Sequence, residues 1–184
     1  PALMPEPAIA ARLREALAGD VCFDPLHRTL YATDASIYEI IPQGVVMPKD
    51  ADDVVRLVRL CAEAGLAITP RGAGTGLAGG AVGRGVVLDL SRHMNRIGRL
   101  DLAARTVEVE PGVVLDQLNA ALAPHGLHFA PDVATSSRAT IGGMIANNSC
   151  GAHSIVFGRT VDHVAELTVV LGDGEVVTFR DDAE

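Results

Sequence analysis

The sequence predicts a fold in which two successive α/β units are followed by a β-hairpin. Short apolar runs alternate with segments whose apolar residues recur every three or four positions, as strands and helices do. The Gly-rich stretch 70–82 directly follows a strand pattern, at the strand end where α/β folds tend to hold ligands. Two apolar runs, 164–171 and 175–179, flank a glycine-containing turn and predict the hairpin.

The first unit begins with a predicted helix near residues 7–17, where Ile9, Leu13 and Leu17 are spaced four positions apart. Residues 20–44 show no clear period, so we expect an irregular segment there. Residues 45–48 then predict a short strand. Asp50 is placed to cap a helix that ends at Gly65.

Strand patterns at 66–69 and 86–90 enclose the Gly-rich stretch. In the second unit, residues 106–110 alternate as a half-buried strand does. The next helix is predicted to bury Leu115, Leu118 and Leu122 and to end at His125-Gly126. Asp173-Gly174 suits a two-residue type I′ turn in the final hairpin.

Composition excludes several classes of function. The 184 residues are 48% hydrophobic, with a formal net charge of -8 and no basic cluster, which argues against nucleic acid or an anionic membrane as partner. No apolar run approaches the roughly 20 residues of a membrane span. The three cysteines form no Cys-x-x-Cys pair, so neither disulfides nor a zinc site is predicted, and Cys150 is interpreted as a small buried residue. Asp50 to Asp53 is interpreted as a helix cap rather than a metal site.

The Gly-rich stretch has the composition of an anion site. It contains five glycines, one arginine and no acidic residue, so backbone N–H groups can converge on phosphate oxygens. The Gly74-x-Gly76-x-x-Gly79 spacing matches a Rossmann fingerprint, but no helix pattern follows it. A P-loop is excluded because Lys49 is the only lysine and lies outside the stretch. A Gly-rich surface connection without a ligand remains the alternative.

A second cluster of small and hydroxyl residues lies between Pro131 and Arg159. It contains Pro131-Asp132, the run 136–143, the run 146–151 and Gly158. Small side chains replace the bulk expected of a core helix, which indicates that another group approaches this backbone closely.

In this order, the motifs resemble the FAD-binding domain of the vanillyl-alcohol oxidase and p-cresol methylhydroxylase superfamily. They are most similar to its branch of D-lactate dehydrogenases, glycolate oxidase subunits and D-2-hydroxyglutarate dehydrogenases, some of which are fused to an iron–sulfur domain. The resemblance covers about residues 30–180.

The resemblance implies that the two glycine clusters hold different parts of FAD. The loop 70–83 would bind the pyrophosphate, and the second cluster would flank the isoalloxazine and ribityl groups. The implied pyrophosphate residues are Arg71, Gly72, Ala73, Gly74, Thr75, Gly76 and Leu77. The implied cofactor-binding residues of the second cluster are Pro131, Asp132, Ser136, Ala139, Thr140, Gly142, Gly143, Asn147 and Gly151.

The implied fold is α+β, with two lobes and FAD between them. Residues 1–43 would form a helix and an irregular segment, and 44–102 a first lobe built on a small β-α-β unit with parallel strands. Residues 103–184 would form a second lobe with a mixed or antiparallel sheet and flanking helices. The chain stops just after a strand pattern, so we expect a fragment that is truncated at this lobe.

The implied function is the FAD-binding portion of an oxidoreductase that oxidises a 2-hydroxy acid, such as D-lactate, glycolate or D-2-hydroxyglutarate, by hydride transfer to FAD. The loop has Gly74-Thr75 where relatives with covalent FAD carry a histidine, so the expected FAD is non-covalent. Two alternatives stay open. One is a non-catalytic nucleotide- or phosphate-binding module, and the other is a related flavoprotein that acts on another alcohol or amine.

The implied partners are a small-molecule substrate, bound through a cap domain outside this chain, and an unidentified electron acceptor. The fragment alone is therefore expected to be inactive, and its catalytic residues are unknown. An iron–sulfur cluster in a domain outside the chain stays open. The expected location is the cytoplasm, with a peripheral position at the inner membrane left open for the full-length protein.

Overall fold

The structure, a computed structural model, describes residues 6–180 and confirms the α+β class. No described helix is long and apolar enough to cross a bilayer. The α-helices are α1 (Glu6–Ala16), α2 (Pro25–Leu30), α3 (Ala51–Ala64), α4 (Leu115–Leu122), α5 (Ile141–Ala146) and α6 (Ser154–Phe157). The strands are β1 (Asp20–Cys22), β2 (Gly44–Met47), β3 (Ile68–Arg71), β4 (Val86–Asp89), β5 (Ile97–Asp101), β6 (Thr106–Val109), β7 (Glu166–Val170) and β8 (Val176–Arg180).

The first part of the chain is a four-stranded sheet in the order β1-β2-β4-β3. Strands β2, β4 and β3 are parallel, and β1 is antiparallel at one edge. All residues of β2 and β4 are buried. Helices α1 and α3 pack on one face of the sheet, and Cys22 and Tyr31 contribute to a separate small cluster with Val45 and Val87. The register places Arg71 beside Asp89, so the Gly-rich stretch leaves the sheet at the carboxyl ends of its parallel strands.

Helix α3 confirms its prediction at both ends. The Asp50 side chain accepts a hydrogen bond from the Asp53 N–H at the start, and Gly65 ends the helix with a left-handed φ of 69°. Leu57 and Cys61 are fully buried on the inner face, and burial raises the pKa of the Cys61 thiol to about 11.

The prediction that residues 20–44 are irregular is wrong at two places. Strand β1 pairs with β2, and α2 begins at Pro25 under an Asp24 cap. Three strand residues and six helical residues are too few for a visible period. Because the partner of β1 lies beyond a long connection, its pairing leaves no local signal.

Asp53 ties three backbone segments together beneath the sheet. Its side chain is fully buried and accepts hydrogen bonds from the N–H groups of Ala18 at 2.9 Å, Gly19 at 2.9 Å and Lys49 at 3.0 Å. Burial raises the pKa of this carboxyl, but these donors and Arg56 outweigh it and hold the pKa below its usual value. The carboxylate therefore fixes the connection between α1 and β1 against the start of α3.

The second part of the chain has its own core, in which Leu115, Leu118 and Met144 pack with residues of β5 and β6. The predicted strand at 106–110 and the predicted helix are present as β6 and α4. Strand β5 was not predicted, since it is mostly exposed and contains a glycine and two charged residues. The lobe boundaries at residues 43 and 102 stay a prediction.

The C-terminal hairpin is confirmed, but its predicted turn is wrong. Val170 pairs with Val176, and the N–H of Leu171 donates to the carbonyl of Glu175 at 2.8 Å, which leaves the three residues 172–174 in the loop. A type I′ turn needs positive φ at both Asp173 and Gly174, and only Gly174 has it, at 80°. The β5–β6 and β7–β8 pairs form two separate antiparallel sheets.

Candidate cofactor-binding site

The Gly-rich stretch forms a series of bends and turns after β3, without the helix that a Rossmann fingerprint requires. Within residues 6–180, none of the backbone N–H groups from Gly72 to Leu77 donates a hydrogen bond to a protein acceptor. The spaces beside Gly76 and Gly80, where a side chain would begin, contain no protein atom within 4 Å. The loop therefore presents a row of backbone donors beside open space, the donor set that a diphosphate requires.

A clamp formed by residues 34–36 holds this loop at two points. The N–H of Ala35 donates to the carbonyl of Gly74 at 2.9 Å, and Asp34 Oδ2 accepts from the N–H of Ala81 at 3.3 Å. The other oxygen of Asp34 accepts from the N–H of Ser36 at 2.8 Å, which fixes the carboxylate. Burial raises the pKa of Asp34, but these hydrogen bonds outweigh it and lower the pKa overall.

Sequence reasoning missed this clamp. The available signal was Asp34 followed two residues later by a serine, a pattern that favours a turn in which the aspartate accepts a backbone N–H. The pattern predicts the local turn but says nothing about the distant loop that the turn holds.

Arg71 lies at the base of the loop and is already engaged by the protein. Its Nη1 donates to the carbonyl of Ala81 at 3.1 Å, and its guanidinium carbon lies 5.2 Å from the centre of the Tyr31 ring. The Tyr31 hydroxyl donates to Asp89 Oδ2 at 2.5 Å. Burial and the Asp89 carboxylate raise the pKa of Tyr31, so this hydroxyl stays protonated as a donor. A phosphate contact from Arg71 would use its remaining N–H groups.

The two predicted glycine clusters meet at Gly72 and Thr140. A Cβ at Gly72 would overlap Thr140 Oγ1, so only glycine permits this approach. Thr140 is 3% exposed, and its hydroxyl accepts from the Gly143 N–H at 3.4 Å to cap α5. The loop and the start of α5 are thus in direct contact.

A cavity of about 360 Å³ opens at this junction. Ala73 lines it from the loop, and Thr140, Ser137 and Arg138 line it from the second cluster. The remaining lining residues are Ser91, Asn95, Gly112, Val114 and Gln117. Hydroxyl, amide and guanidinium groups therefore surround a space beside the backbone N–H donors of the loop.

The second cluster is divided between this cavity and another. Pro131, Asp132 and Ser136 line a separate cavity of about 330 Å³, together with Phe129 and Phe157. Of the other predicted residues, Ala139 is buried, and Gly142 packs against Pro111 near the start of α5. Asn147 ends α5 and is exposed, while Gly151 lies against Asp132. Leu77 of the loop is 79% exposed and lines neither cavity.

Asp132 pairs with His153 at the edge of the 330 Å³ cavity. The Asp132 Oδ2 to His153 Nδ1 distance is 2.5 Å, and Asp132 Oδ1 accepts from the His153 N–H at 3.2 Å. The hydrogen bond from the His153 side chain lowers the pKa of Asp132. Asp132 was predicted as a cofactor contact, but its pairing with His153 was not predicted, because the two residues have no regular spacing.

Cys150 lies at the end of the second cluster and is exposed. Its interpretation as a small buried residue is therefore wrong. The segment 147–151 follows a helix of only six residues, and none of its five residues is buried, so Cys150 does not enter a core.

Comparisons with known proteins agree with this geometry. Residues 42–180 match a family described as FAD binding domain. D-2-hydroxyglutarate dehydrogenase of Pseudomonas putida is 51% identical over 85% of this chain and 16% of its own length. Glycolate oxidase subunit GlcD of Bacillus subtilis is 37% identical over 82% of this chain and 32% of its own length. The solved structure of an alkyldihydroxyacetonephosphate synthase has a TM-score of 0.85 at 23% identity, and the match covers 99% of this chain and 36% of that one.

The matches confirm the resemblance drawn from the two glycine clusters, and the solved structure supports the fold. This chain spans between 16% and 32% of the length of those two relatives. The exposed N–H groups of the loop, the open space beside Gly76 and the polar cavity at Thr140 all fit a dinucleotide cofactor. The chain therefore belongs to the FAD binding domain family, and its cofactor is FAD.

Proposed function

We propose that this chain is the FAD-binding portion of a flavin-dependent oxidoreductase that acts on a 2-hydroxy acid. The contact between Gly72 and Thr140 carries the proposal, because it joins the two glycine clusters into one continuous surface. A single elongated anionic cofactor can reach both clusters from there. Two relatives, named D-2-hydroxyglutarate dehydrogenase and glycolate oxidase subunit, support the substrate class.

In this proposal the loop holds the diphosphate, and the second cluster flanks the isoalloxazine and ribityl groups. Backbone N–H groups from Gly72 to Leu77 donate to phosphate oxygens, and the clamp at Asp34 keeps those donors in place. The contact groups of the second cluster are Pro131, Asp132, Ser136, Ala139, Thr140, Gly142, Gly143, Asn147 and Gly151. Bound FAD would supply the hydride acceptor for oxidation of the substrate carbinol carbon.

The substrate-binding residues and the general base lie outside this chain in the proposal. A cap domain supplies them, so the chain alone binds cofactor without turnover. FAD is held without a covalent bond, because Gly74 and Thr75 offer no imidazole for attachment. Acid precipitation of the loaded protein tests this point: the flavin should remain in the supernatant, and a yellow pellet would contradict non-covalent binding.

The first experiment titrates FAD into the chain while flavin fluorescence and melting temperature are recorded. We expect quenching of the fluorescence and a rise in melting temperature, because a ligand that binds only the folded state stabilises it. ADP and inorganic phosphate serve as parallel titrations. A melting temperature that responds to ADP but not to FAD would support the nucleotide-binding module instead.

The second experiment uses the full-length protein, which tests the enzymatic part of the proposal separately. We expect a flavin spectrum that D-2-hydroxyglutarate, D-lactate or glycolate bleaches under anaerobic conditions, whereas L-2-hydroxyglutarate and L-lactate leave it unchanged. A full-length protein that stays colourless after incubation with FAD would contradict the assignment. A flavin that only other alcohols or amines reduce would support a related flavoprotein of different specificity.

A further inference from the structure

Cys22, Asp24 and His27 form a group of potential metal ligands remote in sequence from the Gly-rich loop. One ligand atom from each residue lies within 4.8 Å of those of the other two. Cys22 ends β1, Asp24 caps α2, and His27 lies in the first turn of that helix. The strand end and the helix start thus bring sulfur, oxygen and nitrogen donors together, although their sequence spacing matches no common zinc motif.

The structure holds two of these donors in place. Asp24 Oδ1 accepts from the His27 N–H at 3.1 Å, and Asp24 Oδ2 lies 2.7 Å from His27 Nδ1. Cys22 is half-buried and packs beside Tyr31 against the sheet, where its backbone pairs with Val45 of β2. Oδ1 of Asp24 makes the helix cap, which leaves Oδ2 facing the imidazole. A cation can therefore bind Oδ2 and the His27 ring while Oδ1 keeps the cap.

The charges around Cys22 are mainly negative. The carboxylates of Asp24 and Asp20 both act on the Cys22 thiol, and Arg14 is the opposing cation. Asp20 also pairs with His93, whose Nε2 lies 2.8 Å from Asp20 Oδ2. The two carboxylates attract a divalent cation toward the thiol.

We propose that Cys22, Asp24 and His27 bind a Zn²⁺ ion, with water in the fourth position. Zinc accepts sulfur, nitrogen and oxygen ligands together, at bond lengths of about 2.0–2.3 Å in a tetrahedral arrangement. Such bonds place ligand atoms about 3.3–3.6 Å apart. The Asp24 and His27 atoms are closer than this, at 2.7 Å, and the Cys22 sulfur lies within 4.8 Å of both, so side-chain rotations must adjust these distances before the metal binds.

Binding exchanges a proton for the metal. The Cys22 thiol loses its S–H proton to solvent as the Zn–S bond forms. His27 binds through the lone pair of Nδ1, so the proton that joins Nδ1 to Asp24 Oδ2 moves to Nε2 of the same ring. Asp24 is already ionised and needs no proton transfer. No oxidant or reductant takes part.

Co²⁺ serves as the probe, because a cobalt–thiolate bond gives a near-ultraviolet charge-transfer band. The reference protein carries Cys150→Ser, which removes the exposed cysteine elsewhere in the chain. We expect one equivalent of Co²⁺ to produce the band and Zn²⁺ to abolish it by displacement. Zn²⁺ should also raise the melting temperature.

Three variants in this background test the ligands individually. Cys22→Ser should abolish the band. Asp24→Asn keeps a helix-capping side chain but removes the carboxylate, and His27→Gln removes the imidazole. Each should weaken Co²⁺ binding by about tenfold or more, since even loss of an outer-shell partner costs about 10–100-fold.

Circular dichroism and melting temperature without metal verify that each variant is folded. Absence of the charge-transfer band in the reference protein would overturn the proposal. A band that persists in Cys22→Ser would also overturn it. Equal Co²⁺ affinities in folded Asp24→Asn, folded His27→Gln and the reference protein would overturn it as well.

Discussion

A methyl group added at Gly76 tests whether the Gly-rich loop holds the FAD diphosphate. Gly76 does not have positive φ, and no protein atom lies within 4 Å of the position that a Cβ would occupy. Gly76→Ala should therefore leave the fold intact and stabilise it by about 0.4–1 kcal/mol, because alanine restricts the unfolded chain. The methyl group would nevertheless occupy space that the proposal gives to phosphate.

The expected loss of FAD affinity follows from the hydrogen bonds between loop N–H groups and phosphate oxygens that the methyl group would prevent. A hydrogen bond to a charged acceptor contributes about 1.5–3 kcal/mol. Loss of one such bond would weaken FAD binding roughly 10- to 150-fold. Gly80→Ala is the matched control, since Gly80 has the same open surroundings but lies outside the proposed pyrophosphate residues.

Gly72→Ala, in contrast, should destabilise the fold. Its Cβ would overlap Thr140 Oγ1, which also caps α5. Overpacking costs about 1–3 kcal/mol, and a weakened cap up to about 1 kcal/mol more. Each kcal/mol lowers the melting temperature of a chain of this size by about 2–4 °C.

Differential scanning fluorimetry and FAD titration of the three variants separate these effects. Wild-type FAD affinity in a folded Gly76→Ala variant would refute the assignment of the diphosphate to this loop. An equal loss of affinity in Gly80→Ala would also refute it, because the effect would then be general to the loop. A Gly72→Ala variant as stable as wild type would refute the close contact with Thr140.

Three further predictions concern the carboxylates. Asp53→Asn should destabilise the fold by about 1–3 kcal/mol in urea unfolding near neutral pH, because in either orientation the amide NH₂ would face at least one backbone N–H group that a carboxylate oxygen now accepts. The folded pKa of Asp53 is lowered, so its contribution is present above the unfolded pKa of about 3.9 and is lost as pH falls through the folded pKa. Asp34→Asn should speed hydrogen exchange at Ala81 and weaken FAD binding about tenfold, because one acceptor of the clamp is lost. His153→Gln should raise the pKa of Asp132 toward its usual value, as measured by carboxyl-carbon NMR titration.

Two of these predictions have a control in the same chain. Asp52→Asn changes an exposed neighbour of Asp53 and should alter stability by less than about 1 kcal/mol. Equal destabilisation by the two variants would contradict the role of the buried carboxylate. His125→Gln should leave the pKa of Asp132 unchanged, and unaltered exchange in Asp34→Asn would contradict the clamp.

Helix α3 was predictable because all its signals are local. The cap at Asp50, the apolar spacing and the left-handed end at Gly65 lie within a single stretch of sequence. Strand β1 was not predictable, because its three residues carry no period and its partner lies beyond α2. The turn at Gly174 was placed correctly but given the wrong type, because composition does not fix the φ of its neighbour Asp173.

By itself, the sequence determined where the two glycine clusters lie and which of them suits a diphosphate. Glycine content, the absence of acidic residues and the missing helix pattern act over short distances, so they are visible without a fold. Only the tertiary structure decided that Gly72 touches Thr140, that Asp34 holds Ala81, and that Cys22 faces His27. Such contacts join residues that are far apart in the sequence, and they depend on how strands pair and how helices pack. Residues that meet in this way have no regular spacing along the chain, so no sequence pattern reveals them.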